Sequence, residues 1–160
     1  MSTQSLPDRE FFDCIEHKKD TQSLRVTARD LVRFDDQNIE LADMIGSAKA
    51  DLADREGLSA TRASEWIANH CQISEDTLKK TIIGTTKVTR TFLYKFTVGL
   101  KMTVDEANKF FDLCGGRLYE KCMADYICMQ ALKDKDDIEV FIKDFELHTG
   151  MKIHMRERSK

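Results

Sequence analysis

Ser59-Ala60-Thr61-Arg62-Ala63-Ser64-Glu65-Trp66-Ile67-Ala68-Asn69-His70-Cys71, then Gln72-Ile73, then Ser74-Glu75-Asp76-Thr77-Leu78-Lys79-Lys80-Thr81-Ile82-Ile83-Gly84 is the stretch that decides the fold. Ala63, Trp66, Ile67 and Cys71 recur at steps of three and four, which is one face of a helix, and Ser59 is placed to cap it. Trp66 reads as a core anchor. After the short break, Ser74 is a second N-cap, Glu75 and Asp76 put negative charge on the first turn, and Leu78 and Ile82 face inward until Gly84 stops the helix. Two short helices joined by so tight a turn must cross steeply. The outward face of the second is then left for a ligand, and a DNA major groove admits one helix.

The chain on either side supplies helices to bury the back of this pair. Ile39, Leu41, Ala42, Ile45, Ala48, Leu52 and Ala53 form an apolar stripe that ends at Gly57. Asp35-Asp36-Gln37-Asn38 is expected to break the helical pattern before it and to cap this helix. Downstream, Thr89 and Thr103 cap a fourth and a fifth helix, carrying Phe92, Leu93 and Phe96, then Ala107, Phe110 and Phe111, and closed by Gly115-Gly116. A sixth helix holds Cys122, Tyr126, Ile127 and Leu132; a polar break at Asp134 to Asp137 precedes a seventh with Ile138, Phe141, Ile142 and Phe145, ended by Gly150. Residues 1–37 read as an extension with one short helix over Arg9 to Lys19 and helical spacing at Leu24 to Phe34. Residues 117–150 read as a helical pair that packs on the middle unit or dimerises, and 151–160 as a frayed tail. The expectation is an all-α protein with a five-helix helix-turn-helix domain at 38–116 and extra N- and C-terminal helices.

Ile39 to Gly116 resembles the lambda-repressor-like, or Xre-type, helix-turn-helix family. The resemblance rests on Glu56-Gly57-Leu58-Ser59, on Ile73-Ser74-Glu75-Asp76-Thr77-Leu78 with Gly84, on Leu93 and Phe96, on Gly99-Leu100-Lys101-Met102-Thr103, and on Asp105-Glu106-Ala107. Leu113 to Leu132, with Gly115-Gly116, Leu118-Tyr119, Lys121 and Asp125, is similar to the tail of a Firmicutes subset of such proteins. The resemblance implies a sequence-specific transcriptional regulator that binds double-stranded DNA as a homodimer. It implies that Ser74, Glu75, Asp76, Thr77 and Lys80 face base edges, that Lys79 adds attraction, and that Thr61, Arg62, Lys87 and Arg90 flank the backbone. Two departures stand out. Val88 occupies a position where the family often has proline. Glu75 and Asp76 stand where DNA-binding members carry Arg, Gln, Ser, Thr or Asn, and a carboxylate accepts from cytosine but is repelled by phosphate.

Charge is consistent with a modest DNA surface. The net charge is −3, with eight basic against thirteen acidic residues in 1–57, eight against six in 58–116, and nine against nine in 117–160. The small positive excess coincides with the helix-turn-helix stretch, but the acidic residues at the start of its second helix and the acidic first third support a rival, a protein-interaction module of antitoxin or adaptor type. An acidic segment binds a basic partner or masks the positive face of its own domain. No nucleophile elbow, Walker loop or His-Glu-x-x-His is present, so no enzyme is expected. Five cysteines without a Cys-x-x-Cys pair read as reduced thiols of a cytoplasmic protein, with no metal and no cofactor expected. No apolar run approaches the ~20 residues that span a bilayer.

Overall fold

The computed structural model describes residues 26–153, and every regular element among them is helical. Seven helices follow in order: α1 Ala28–Glu56, α2 Ala60–Cys71, α3 Glu75–Ile83, α4 Arg90–Gly99, α5 Val104–Phe111, α6 Met123–Asp134 and α7 Ile138–Thr149. The short helix expected over Arg9 to Lys19 lies outside the described residues. None of the described helices is long and apolar enough to cross a membrane.

Local chemistry sets the helix ends. Side chains of Thr27, Ser59, Ser74, Thr89 and Thr103 each accept from the backbone N–H three residues on, which satisfies one of the orphan donors of the first turn. Thr27 with Asp30 and Thr103 with Glu106 complete reciprocal capping boxes. Gly84 closes α3 at φ 97°, a conformation that a side chain disfavours.

α1 corrects the sequence reading. It runs 29 residues, about 43 Å at 1.5 Å per residue, straight through Asp35-Asp36-Gln37-Asn38. Polar residues of this kind weaken a helix by only a few tenths of a kcal/mol each. The expected cap is used elsewhere: Asn38 Oδ1 accepts from the backbone N–H of Val88, at 2.9 Å, and ties α1 to the loop before α4. Ile39, expected to face inward, is 56% exposed, whereas Leu41, Ala42, Ile45 and Leu52 are buried.

α4 is the central helix, in contact with α2, α5, α6 and α7, and buried along both sides from Phe92 to Gly99. Its crossing with α2 is close enough to require glycine. A Cβ on Gly99 would lie 2.5 Å from the His70 carbonyl oxygen and 2.8 Å from Cys71 Cα. Tyr94 stacks its ring among Phe111, Phe141 and Phe145, with centroids 5.6, 6.5 and 5.6 Å away, and so joins α4, α5 and α7. Trp66 is half-buried, packed on the core and stacked on His70 at 3.7 Å.

The α6–α7 hairpin is latched to the rest by lysines. Lys101 Nζ donates to the carbonyls of Lys135 and Asp136 and to Asp137, and Lys135 Nζ donates back to the Lys101 carbonyl. The chain beyond α7 is held at its start. Ile153 is buried, its N–H donates to Glu146, and its carbonyl accepts from Lys95. The frayed tail expected from residue 151 is therefore anchored through Ile153.

Candidate nucleic-acid interface

α2 ends at Cys71, Gln72 takes a left-handed conformation at φ 56°, Ile73 is buried, and Ser74 caps α3. Three residues thus turn the chain from one helix to the next, and α3 packs its Leu78 and Thr81 side against α1 and α2. Its other side is open: Glu75, Asp76, Thr77, Lys79 and Lys80 are all exposed, and Ser74 is half-buried. Ser74 Oγ accepts from the Thr77 N–H and donates to Thr77 Oγ1 at 2.8 Å, so both hydroxyls are engaged in the cap.

Thr61 and Arg62 are exposed on the first turn of α2, and Thr61 lies beside α3. Thr61, Glu75, Asp76 and Lys79 line one shallow hollow of about 400 Å³, whose wall also includes Lys49 of α1. Lys49 is absent from the sequence-based set because its position on the polar side of α1 gave no reason to place it near α3. Lys87 is exposed in the α3–α4 loop.

Arg90 is placed differently. It was expected to flank a nucleic-acid backbone, but its guanidinium is turned inward. Nη1 donates to the carbonyls of Cys114 and Gly116 at 2.6 and 2.7 Å, and Nη2 to Asp125 at 2.8 Å. The group lies 4.9 Å over the Phe111 ring. Asp125, 2% exposed in its side chain, also accepts from the Tyr94 hydroxyl at 2.5 Å and the Tyr119 N–H at 2.9 Å. Burial opposes the Arg90 charge, but the hydrogen bond and charge of Asp125 outweigh it and hold the guanidinium above its ordinary pKa. Burial first, and the Asp125 carboxylate second, push the Tyr94 hydroxyl well above its usual range. Arg90 is therefore an internal strut between α4, the α5–α6 connection and α6, and cannot also contact phosphate. The sequence carried one hint: Asp125 is a charge amid Ala124, Ile127, Cys128 and Ala131, all of which are buried.

The open surface is electrically mixed. Lys80 pairs with Asp76 at 3.1 Å, Arg62 with Glu65 at 3.7 Å and Lys87 with Asp35 at 3.9 Å, all at exposed positions. Lys79 pairs with no carboxylate among the described residues. Such exposed pairs are worth at most about 1 kcal/mol and exchange readily for another anion. No group of His, Cys, Asp and Glu suited to hold a metal ion occurs among the described residues. Burial raises the Cys71 and Cys128 thiols far above the ordinary value of 9.0, so neither is a ready nucleophile.

Comparison with known proteins finds no matching family model, no matching curated protein and no matching solved structure.

Proposed function

We propose that the chain is a non-enzymatic regulator of Xre type, in which α2, the Gln72–Ser74 turn and α3 act as a helix-turn-helix unit and α3 reads double-stranded DNA. One observation carries the reading: α3 buries Leu78 and Thr81 while its opposite side, with Glu75, Asp76, Thr77, Lys79 and Lys80, stands open to solvent. That is the condition for a helix to enter a major groove. Lys79, Lys80, Lys49, Arg62 and Lys87 supply the attraction to phosphate, and Thr77 with the two carboxylates faces base edges. Reduced thiols fit a cytoplasmic setting. The test is binding of full-length protein to mixed-sequence duplex at two salt concentrations. Five cations on phosphates give a log–log salt slope of about −4.5. Lys79→Glu/Lys80→Glu, both exposed, should abolish binding without unfolding the chain. No binding even at low salt would sink the proposal.

A second reading, a protein-interaction module, is favoured by a specific feature. The acidic turn Glu75-Asp76 opens α3, three of the five surface cations are already paired, and Ile83 at its end is 62% exposed. A protein partner would use this apolar edge and tolerate salt, whereas duplex DNA would not.

A further inference from the structure

A second hollow lies between α1 and the start of α5 and encloses about 520 Å³. It follows α1 from Glu40 to Arg55, about 22 Å at 1.5 Å per residue. Met44 and Ala48 of α1 and Leu100 and Met102 of the α4–α5 loop, all half-buried, make an apolar floor with Phe110 of α5. At 100° per residue Met44 and Ala48 point away from Gly46 and Lys49, which face α3. The rim is charged, and its charges are unevenly engaged. Lys101 is held by Asp137 and two carbonyls, Arg55 stands 3.6 Å from Glu56, and Glu106 accepts from the Thr103 N–H as a cap. Glu40, Asp43 and Asp51, all exposed along α1, have no ion pair among the described residues, and Lys109 is the one rim cation likewise without one.

We propose that this hollow binds a slim apolar organic cation. Its volume falls within the range of small-molecule sites, about 300–1,000 Å³. Two methionines suit such a floor, because an unbranched, polarisable thioether adapts to different apolar shapes. Charge selects the sign of the ligand. Three free carboxylates stand against a single free lysine, and each exposed ion pair contributes up to about 5-fold in affinity. An anion meets the same carboxylates as repulsion. A neutral apolar ligand would use the floor and leave Glu40, Asp43 and Asp51 idle. The site is separate from α3 and stands whether α3 binds DNA or protein.

The test titrates the full chain with decyltrimethylammonium and with decyl sulfate, equal in chain length and opposite in charge, below micelle-forming concentrations. Methionine methyl resonances are the readout. The cation should shift Met44 and Met102 and leave Met123, exposed on α6, unmoved. With about 14 non-hydrogen atoms it should bind with a dissociation constant under about 1 mM. Decyl sulfate should bind at least about 10-fold more weakly. Asp43→Asn/Asp51→Asn should weaken the cation about 10-fold, and Asp43→Lys/Asp51→Lys should reverse the preference. Both sites are exposed, so both variants should melt within about 2 °C of the parent. Equal affinity for the two probes, shifts at Met123 as large as at Met44, no shift of Met44 and Met102 by the cation, a preference that survives the lysine variant, or variants that melt lower because the carboxylates serve the fold each overturns the proposal.

Discussion

Replacing Asp125 with alanine tests whether the α6–α7 hairpin is held on α4 by a buried ion pair. The carboxylate is 2% exposed and accepts three hydrogen bonds, from Arg90, Tyr94 and Tyr119. Its removal leaves the Arg90 guanidinium, 13% exposed, with only the Cys114 and Gly116 carbonyls. Arg90 Nε is already buried without a hydrogen-bond partner among the described residues, so no spare acceptor is at hand. Three charge-assisted bonds at their usual strength sum to more than is lost, because the two carbonyls remain. Breaking a buried pair from one side costs about 3–5 kcal/mol. For a chain of this size that lowers the melting temperature by roughly 10–15 °C. The assay is thermal and urea unfolding followed by circular dichroism, with Asp125→Ala, Arg90→Met and the double variant. The double variant should lose less than the sum of the singles by about 1–3 kcal/mol, because neither charge is then stranded. A drop under about 2 °C for Asp125→Ala, or strict additivity, would refute the assignment of Arg90 as an internal strut and return it to the surface set.

Three further outcomes follow from the geometry. Val88→Pro removes the N–H that Asn38 accepts and should cost about 1–3 kcal/mol in urea unfolding; an unchanged midpoint would show that this tie between α1 and the α3–α4 loop is idle. Gly99→Ala forces a methyl against the His70 carbonyl and should cost about 2–3 kcal/mol, whereas Thr77→Ala at an exposed site should cost under about 1; equal costs would contradict the α2–α4 crossing. Stability should also fall as pH rises above about 9. Cys71, Cys128 and Tyr94 have folded pKa values raised above their ordinary values, so the unfolded chain gives up protons first and binds fewer, and the slope is negative by up to about 1.4 kcal/mol per pH unit for each group. Lys95, whose pKa burial lowers, opposes this below its ordinary value of 10.5. A midpoint flat or rising from pH 8 to 11, measured on the reduced chain, would mean that these groups ionise freely in the native state.

Helices α2 to α5 were legible because each carries its own capping residue, and α6 and α7, whose starts have no side-chain cap, by apolar spacing alone. Ser59, Ser74, Thr89 and Thr103 are caps in the structure as the sequence suggests, and apolar residues at steps of three and four between them fill the core. The run at Asp35 to Asn38 was misread for a physical reason. Local propensity against helix is small, and a long-range donor, the Val88 N–H, decides how Asn38 is used. The exposed set on α3 follows from periodicity. Arg90 does not, since a cation at the first position of a helix looks the same whether it faces solvent or a carboxylate 35 residues away. The position often held by proline in the resembled family has a reason to differ here, because proline has no N–H for Asn38.

The most direct test of the central claim is amide chemical-shift mapping of the full-length chain titrated with mixed-sequence duplex at low salt. Shifts are expected at Ser74 to Lys80, Thr61, Arg62 and Lys87, reversed by added salt, with Arg90 and the α6–α7 hairpin unmoved. Shifts centred on the hairpin, or none at any salt concentration, would contradict it.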